Sequence, residues 1–502
     1  MRKKFSALLA VLGLAIVAVA PSQSHGANLT PLVSFSGADG SNPQGKLISD
    51  AQGNLFGTTE LGGANGQGVF SHGTVFELAK TASGYASTPT TLVSFCSLPN
   101  CADGEHPAGG LIADANGDLF GTTQSGGANG RGAVFEIVKT ASGYASTPTI
   151  LVDFCSLANC ADGAAPSAGL IFDTDGNLFG TTRDGGVNGG SFSGTVFEIP
   201  KILGGYASTP TTLVSFCSPL PNCTEGAAPQ ASLIVDRKGN LFGTTTEGGA
   251  NASESVFSGT VFEIAKTHRG YATTPTTLVS FCSLANCADG RVPFGNLIFD
   301  TDGNLFGTTF GGPFPIGMGG AGTVFEIAKT AGSYSGTPTT LVSFCSLPNC
   351  VDGEHPAAGL IADTKGNLFG TTENGGANGR GTVFEIVKTA SGYASTPTIL
   401  VDFCSLADCA DGEGPVAGLI ADPKGNLFGT TNVGGANNAG VVFEVTDSGF
   451  VIFAGTPGKP SCLRKSVRAL ARQYGGLNAA AAALDYPNVP ALQNAISDFC
   501  EG

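Results

Sequence analysis

Tryptophan is missing from this chain, and so, beyond the run Phe5 to Ala20, is any apolar stretch long enough to cross a bilayer. The second absence excludes a helical membrane span once the N-terminal segment is removed. Basic residues are also scarce, with 24 Lys and Arg against 39 Asp and Glu. Without the first 26 residues and everything after residue 456, the balance is 16 against 36. Such an acidic body repels nucleic acid and anionic membrane. With no Trp, the large apolar filling falls to 33 Phe, and 21 of these stand at three fixed places in a repeated unit. A residue that recurs at fixed places reads as core.

Arg2, Lys3 and Lys4 precede the uncharged run, and small residues follow at Ala18, Ala20, Gly26 and Ala27. This is the pattern of a secretory signal peptide over residues 1–26, cut near Gly26 because Pro21 spoils a cut at Ala20. The competing reading is an uncleaved anchor. Fourteen cysteines fit export. Twelve form close pairs: Cys96 with Cys101, Cys155 with Cys160, Cys217 with Cys223, Cys282 with Cys287, Cys345 with Cys350 and Cys404 with Cys409. Cys462 and Cys500 bracket the C-terminal tail. All are expected as local disulfides. A zinc site needs two close pairs converging on one ion, and these pairs lie whole repeats apart. No metal and no cofactor is expected.

The phrase NLFGTT or DLFGTT occurs seven times, with Phe at 56, 120, 179, 242, 306, 369 and 428 and steps of 64, 59, 63, 64, 63 and 59 residues. Self-similarity at a fixed period signals a repeat architecture. Within one unit, Gly110–Asp114, Asp118–Thr123, Ala133–Val138 and Thr149–Phe154 read as short strands with turn chemistry at each join, and no interval has helical periodicity. The fold expected is all-β, a seven-bladed β-propeller of four-stranded antiparallel blades over residues 27–456. A small α-helical, disulfide-closed tail over 457–502 follows. The main rival is an open solenoid. Closure has two arrangements: Phe450 to Phe453 completes the last blade after a tight hairpin at Thr446–Gly449, or the N-terminal strand Leu32–Phe35 locks the ring at that blade's edge.

These units, with GNLFGTT, then GG, then GTVFE, resemble the GloVer-type tandem repeat of exported bacterial proteins, grouped with choice-of-anchor surface proteins, from about residue 29 to 453. The resemblance implies export and a surface location, and brings no assigned catalytic residues.

With the first strand innermost, glycine-rich loops and cysteine loops share one face, while the DANGD-type turns and GYASTP connections share the other. Each unit puts a carboxylate before a glycine on the first face: Asp39, Asp103, Asp162, Glu225, Asp289, Asp352 and Asp411. A ring of acids would bind cations or sugar hydroxyls, but Asp-Gly is also a plain turn with a capping carboxylate, and that reading is preferred. His106 and His355 read as surface loop residues. Asp173 with Asp175, and Asp300 with Asp302, resemble a calcium loop without its distal acid, so they read as hairpin turns. The GGANG loops lack the Lys and Ser or Thr of a phosphate cradle. Tyr85, Tyr144, Tyr206, Tyr271, Tyr334 and Tyr393 are expected to pack their own connections onto their blades. No nucleophile–base pair stands out, so no catalytic residue is assigned. The function expected is an exported binding scaffold for an extracellular glycan or protein, with an enzyme acting on extracellular polysaccharide as the alternative.

In the tail, Ser461 caps a helix ending near Tyr474, Asn478–Leu484 is alanine-rich, and Pro490 opens a last helix. Its basic first helix superficially suits DNA, but export and an acidic body argue for docking or attachment.

Overall fold

A computed structural model describes residues 26–501, apart from 67–70, 188–191, 218–222, 253–256, 313–319, 331, 454–460, 475, 484–485 and 487. The signal-peptide reading of residues 1–26 therefore lies, but for Gly26, outside the described residues. The first blade shows how a unit is built. After the N-terminal strand β1 (Asn28–Ser34) come β2 (Ile48–Ser49), β3 (Leu55–Thr59) and β4 (Thr74–Leu78). A ribbon, β5 (Lys80–Thr81) with β6 (Gly84–Tyr85), precedes β7 (Thr90–Ser94). The sheet order β2-β3-β4-β7 is a meander, and seven such four-stranded sheets make up the propeller.

The periodicity of two explains the core. Along β3, Leu55 and Phe56 point to opposite faces, and both are buried. Phe56, Val75, Val93 and Phe95 of the first blade meet Leu111, Leu119, Phe135 and Ile137 of the second in one cluster. Equivalent clusters fill the other seams, so the core lies between blades. This is why the strands read apolar on both faces. Phe95 meets Phe135 edge-on with centroids 5.1 Å apart. The glycine of LFG makes room for this filling, because a Cβ at Gly57 would stand 2.7 Å from Phe76 Cζ and 2.8 Å from Leu47 Cδ2.

The closing strand is β1. It pairs antiparallel with Val441–Thr446 in register from Asn28↔Thr446 to Ser34↔Val441, and Val33 and Phe35 fill the seam between last and first blades. Of the two arrangements open in the sequence, the N-terminal strand takes the fourth place itself, and Phe450–Phe453 is not part of the sheet. That segment has another task. Each connection's Tyr reaches across a seam onto the preceding blade: Tyr144 packs on Phe56 at 5.5 Å, Tyr206 on Phe120, and Tyr85 on Phe428. The tyrosines thus hold neighbouring blades together, rather than packing a loop onto its own blade as expected. The last unit has no such connection, and Phe450 takes the vacant place on Phe369, 4.9 Å between centroids. Val451 O then accepts from Thr364 N and Oγ1.

Three helices follow, α1 (Cys462–Tyr474), α2 (Leu477–Ala483) and α3 (Val489–Glu501). Leu470, Ala480, Leu492 and Ile496 join one apolar cluster with Phe450, Ile452 and Phe453, so the tail docks through that segment. Cys462 is bonded to Cys500 across 38 residues, closing the first helix onto the last.

The short pairs are bonded within their own loops: Cys96 to Cys101, Cys155 to Cys160 and Cys217 to Cys223. Cys282 to Cys287, Cys345 to Cys350 and Cys404 to Cys409 complete the six. No bridge runs from one repeat to another, and no cysteine is free among the described residues. The second cysteine of each pair does more than close a ring. Cys101 O, Cys160 O, Cys223 O, Cys350 O and Cys409 O each accept from the second glycine of the neighbouring glycine-rich loop, at 2.8–2.9 Å. Cys287 O accepts from Gly290 N at 2.8 Å inside its own loop. Five of the six bridges thus fix a carbonyl that tethers the neighbouring glycine-rich loop.

Candidate functional site

On the axis, one residue ahead of each inner-strand leucine, the blades bring together Lys46, Gly110, Gly169, Ser232, Asn296, Gly359 and Gly418. Their mutual approach traces a closed ring. A Cβ at Gly110 would meet Lys46 O at 2.9 Å, one at Gly169 would meet Gly110 O at 2.9 Å and Ser232 Oγ at 3.1 Å, and one at Gly359 would meet Asn296 O at 2.9 Å. Ser232 N donates to Asn296 Oδ1 at 2.8 Å, and Gly418 faces the Lys46 stem. The channel therefore narrows to its own backbone, which leaves glycine as the residue that fits most positions. Threonine hydroxyls tie the ring from the second strands. Thr58 donates to Gly109 O, Thr122 to Ala168 O and, across the closing seam, Thr430 to Pro43 O.

Glycine-rich and cysteine loops lie together on what we term the upper face, where Gly127 N donates to Cys101 O. The turn aspartates and Lys–Tyr ribbons share the lower face, where Lys80 N donates to Asn54 Oδ1. The candidate acids lie in the upper loops. Asp103, Asp162, Asp289, Asp352 and Asp411 are fully buried. Asp103 Oδ2 accepts from Ser97 N and Oγ at 2.8 and 2.7 Å, and its Oδ1 accepts from Leu98 N at 3.1 Å. The other four repeat this pattern. Asp39 caps Ser36 in the same way within a shorter loop. Glu225 is half-buried next to residues outside the described set. The five buried carboxylates hold their loops and turn inward, away from solvent. On the lower face Asp173 accepts from Asp175 N and Asn177 N and Nδ2, and Asp300 does likewise, the bonding of a hairpin turn.

The groups that the repeat does not keep stand on the upper face, where each second strand ends. The position just after each second strand reads Glu60, Gln124, Arg183, Thr246, Phe310, Glu373 and Asn432. Glu60 Oε2 accepts from Asn42 Nδ2 at 2.7 Å and from Gln44 Nε2 at 2.5 Å, and Gln44 is two residues from axial Lys46. Gln230 Nε2 and Thr246 Oγ1 repeat that contact at 3.0 Å three blades on. Burial raises the Glu60 carboxyl above the ordinary range, and His106 across the seam opposes the rise. Glu373 is raised by burial in the same way, opposed by His355. His355 stacks on Phe310, centroids 4.5 Å apart, and Asn374 Nδ2 lies 3.2 Å from its Nδ1. His106 and His355 are thus half-buried neighbours of mouth carboxyls, rather than the surface residues expected. Phe294, two residues before axial Asn296, stands 40% exposed. Recurrence in the sequence points away from this set. The signal was the opposite, one position per unit whose chemistry changes every time.

A family model described as the Gloeobacter/Verrucomicrobia repeat matches residues 16–157, 71–312, 145–361 and 258–455. No curated protein matches the chain. Among solved structures, the periplasmic gluconolactonase of Pseudomonas aeruginosa aligns over 70% of this chain and 84% of its own, at 16% identity and a TM-score of 0.42.

Proposed function

We propose, from the premise that the chain belongs to the Gloeobacter/Verrucomicrobia repeat family, that it is an exported binding scaffold whose upper channel mouth holds a polyhydroxylated ligand, an extracellular glycan. The observation that carries this reading is the broken symmetry of the mouth. Seven blades keep one core, yet the ring after the second strands varies from carboxylate to amide, guanidinium, hydroxyl and phenyl. Amide and carboxyl pairs such as Gln44–Glu60 offer donors and acceptors side by side. Phe294 and the Phe310–His355 stack add flat apolar surface, and the two together are the equipment of a site that orients a sugar ring. Seven disulfides support export. Among the described residues no helix is long and apolar enough to cross a membrane.

A second reading, an enzyme acting on extracellular polysaccharide, is favoured by one feature. A carboxyl raised by burial at a channel mouth is suited to holding a proton for transfer. One experiment separates the two. The full chain and its Glu60→Gln variant are applied to a glycan array and incubated with the captured polymers while new reducing ends are counted. The scaffold reading expects capture that weakens in the variant and no turnover. Turnover lost in Glu60→Gln establishes the enzyme. Neither capture nor turnover by the parent overturns both.

A further inference from the structure

One seam holds a constellation that no other seam repeats among the described residues. His72 ends the glycine-rich loop of the first blade, and its Nδ1 lies 2.7 Å from Glu105 Oε2. Both side chains stand against the Cys96–Cys101 bridge. The two sulfurs, the imidazole nitrogen and the carboxylate oxygen all lie within 4.8 Å of one another. At the equivalent of His72 the other seams carry Arg131, Ser193, Ser258, Ala321, Arg380 and Ala439, and at the equivalent of Glu105 they carry Ala164, Ala227, Arg291, Glu354, Glu413 and Ser41. The nearest copy joins the sixth and seventh blades. There Glu413 lies 3.6 Å from Cys409 Sγ, but Arg380 stands where a histidine would and pairs with Glu413 at 3.2 Å.

We propose that this seam is a redox-gated zinc site, formed by Cys96, Cys101, His72 and Glu105 when a dithiol reduces the bridge. The dithiol supplies two electrons and two protons, becomes a disulfide itself, and leaves two thiols. A zinc ion then displaces both thiol protons and takes two thiolates, one imidazole nitrogen and one carboxylate oxygen. Two soft sulfurs with one nitrogen and one oxygen make a four-ligand tetrahedral zinc set. With zinc bonds of about 2.0–2.3 Å, its ligand atoms sit roughly 3.3–3.8 Å apart, so the groups need only small shifts once the sulfurs part. The sites are alternatives: the bridge in an oxidising compartment, the metal where thiols persist. In either state the glycine-rich loop of the first blade and the loop leading to the second stay joined.

Cobalt(II) serves as the probe because thiolate ligation gives it a charge-transfer band. The full chain is reduced, freed of reductant without air, and titrated with cobalt and then with zinc in competition. One tight equivalent with a two-thiolate band is expected, absent from the oxidised protein and lost in His72→Ala. Arg380→His, which places a histidine beside Cys404, Cys409 and Glu413, is expected to add a second equivalent, so the test does not depend on one loss-of-function variant. Far-ultraviolet circular dichroism of each oxidised variant checks the fold. An unchanged band in His72→Ala, binding at every reduced pair, or no band at all would overturn the proposal.

Discussion

Glu136 and its counterparts Glu77, Glu198, Glu263, Glu326 and Glu444 lie on the third strands facing the turn aspartates. Burial first, then those aspartates, raises each carboxyl above the ordinary range, while lysines such as Lys201 beside Glu136 oppose the rise. A carboxyl raised on folding contributes stability in full below its unfolded pKa and loses it as pH rises through the folded value. Thermal unfolding is therefore expected at higher temperature near pH 5 than near pH 7, with the loss falling just above the ordinary glutamate range. Glu136→Gln should raise the melting temperature at neutral pH and flatten the profile, read by scanning calorimetry. A melting temperature that falls on acidification through that window would contradict the assignment. At this scale the sequence was legible where chemistry recurs. The turn aspartates and the cap of Asp103 follow from Asp-Gly and Asp-x-x-Gly-Asn spacing. Glu60, Arg183 and, at its seam, His72 were not legible, because one-off residues in a repeat look like noise until the fold gives them neighbours.

The smallest elements are the cysteine loops, and they show what a bridge does here. Cys96, Asn100 and Cys101 all hold positive φ, near 57°, 58° and 52°. In the first unit, which has lost both cysteines, Gly37 accepts from Gly63 where Cys101 accepts from Gly127, and glycine reaches its φ of 86° without a Cβ penalty. Each ring of about six residues adds roughly 2 kcal/mol by the chain-entropy account, and the longer tail loop roughly 4. Because no bridge joins two blades, reduction should speed amide exchange in the upper loops and the tail well before the strands yield. Early exchange in the strands would show the bridges bearing the fold. The lower-face arms act between blades. Tyr144 is pushed up to about 12, first by burial and then by Glu77 and Asp50 across the seam. Phe450 stands in for the missing seventh tyrosine, so Phe450→Ala should cost about 3–5 kcal/mol in denaturant unfolding and release the tail to proteolysis. An intact, protease-resistant tail would refute its docking through Phe450. The sequence left closure open because Leu32–Phe35 and Phe450–Phe453 are both apolar and strand-like. What separates them is the vacant place on Phe369, which is not readable before the tyrosines are seen crossing seams.

For the whole molecule, ring closure rests on backbone pairing between the first strand and Val441–Thr446. Removing residues 28–35 leaves the apolar faces of the last and first blades uncovered, so the shortened chain should associate or expand in small-angle scattering. A compact monomer would mean that another segment can close the ring. The same closure makes the axis a pinched ring with one varied rim, and that rim is the heart of the functional account. Hydrogen exchange with a pool of extracellular polysaccharide fragments, bound and free, tests it most directly. Protection is expected only at the upper mouth, in peptides spanning residues 41–46, 60–62 and 104–110 and their counterparts. Protection centred on the lower turns at Asp50–Asn54 and the Lys80–Tyr85 ribbons, with the mouth unchanged, would contradict it.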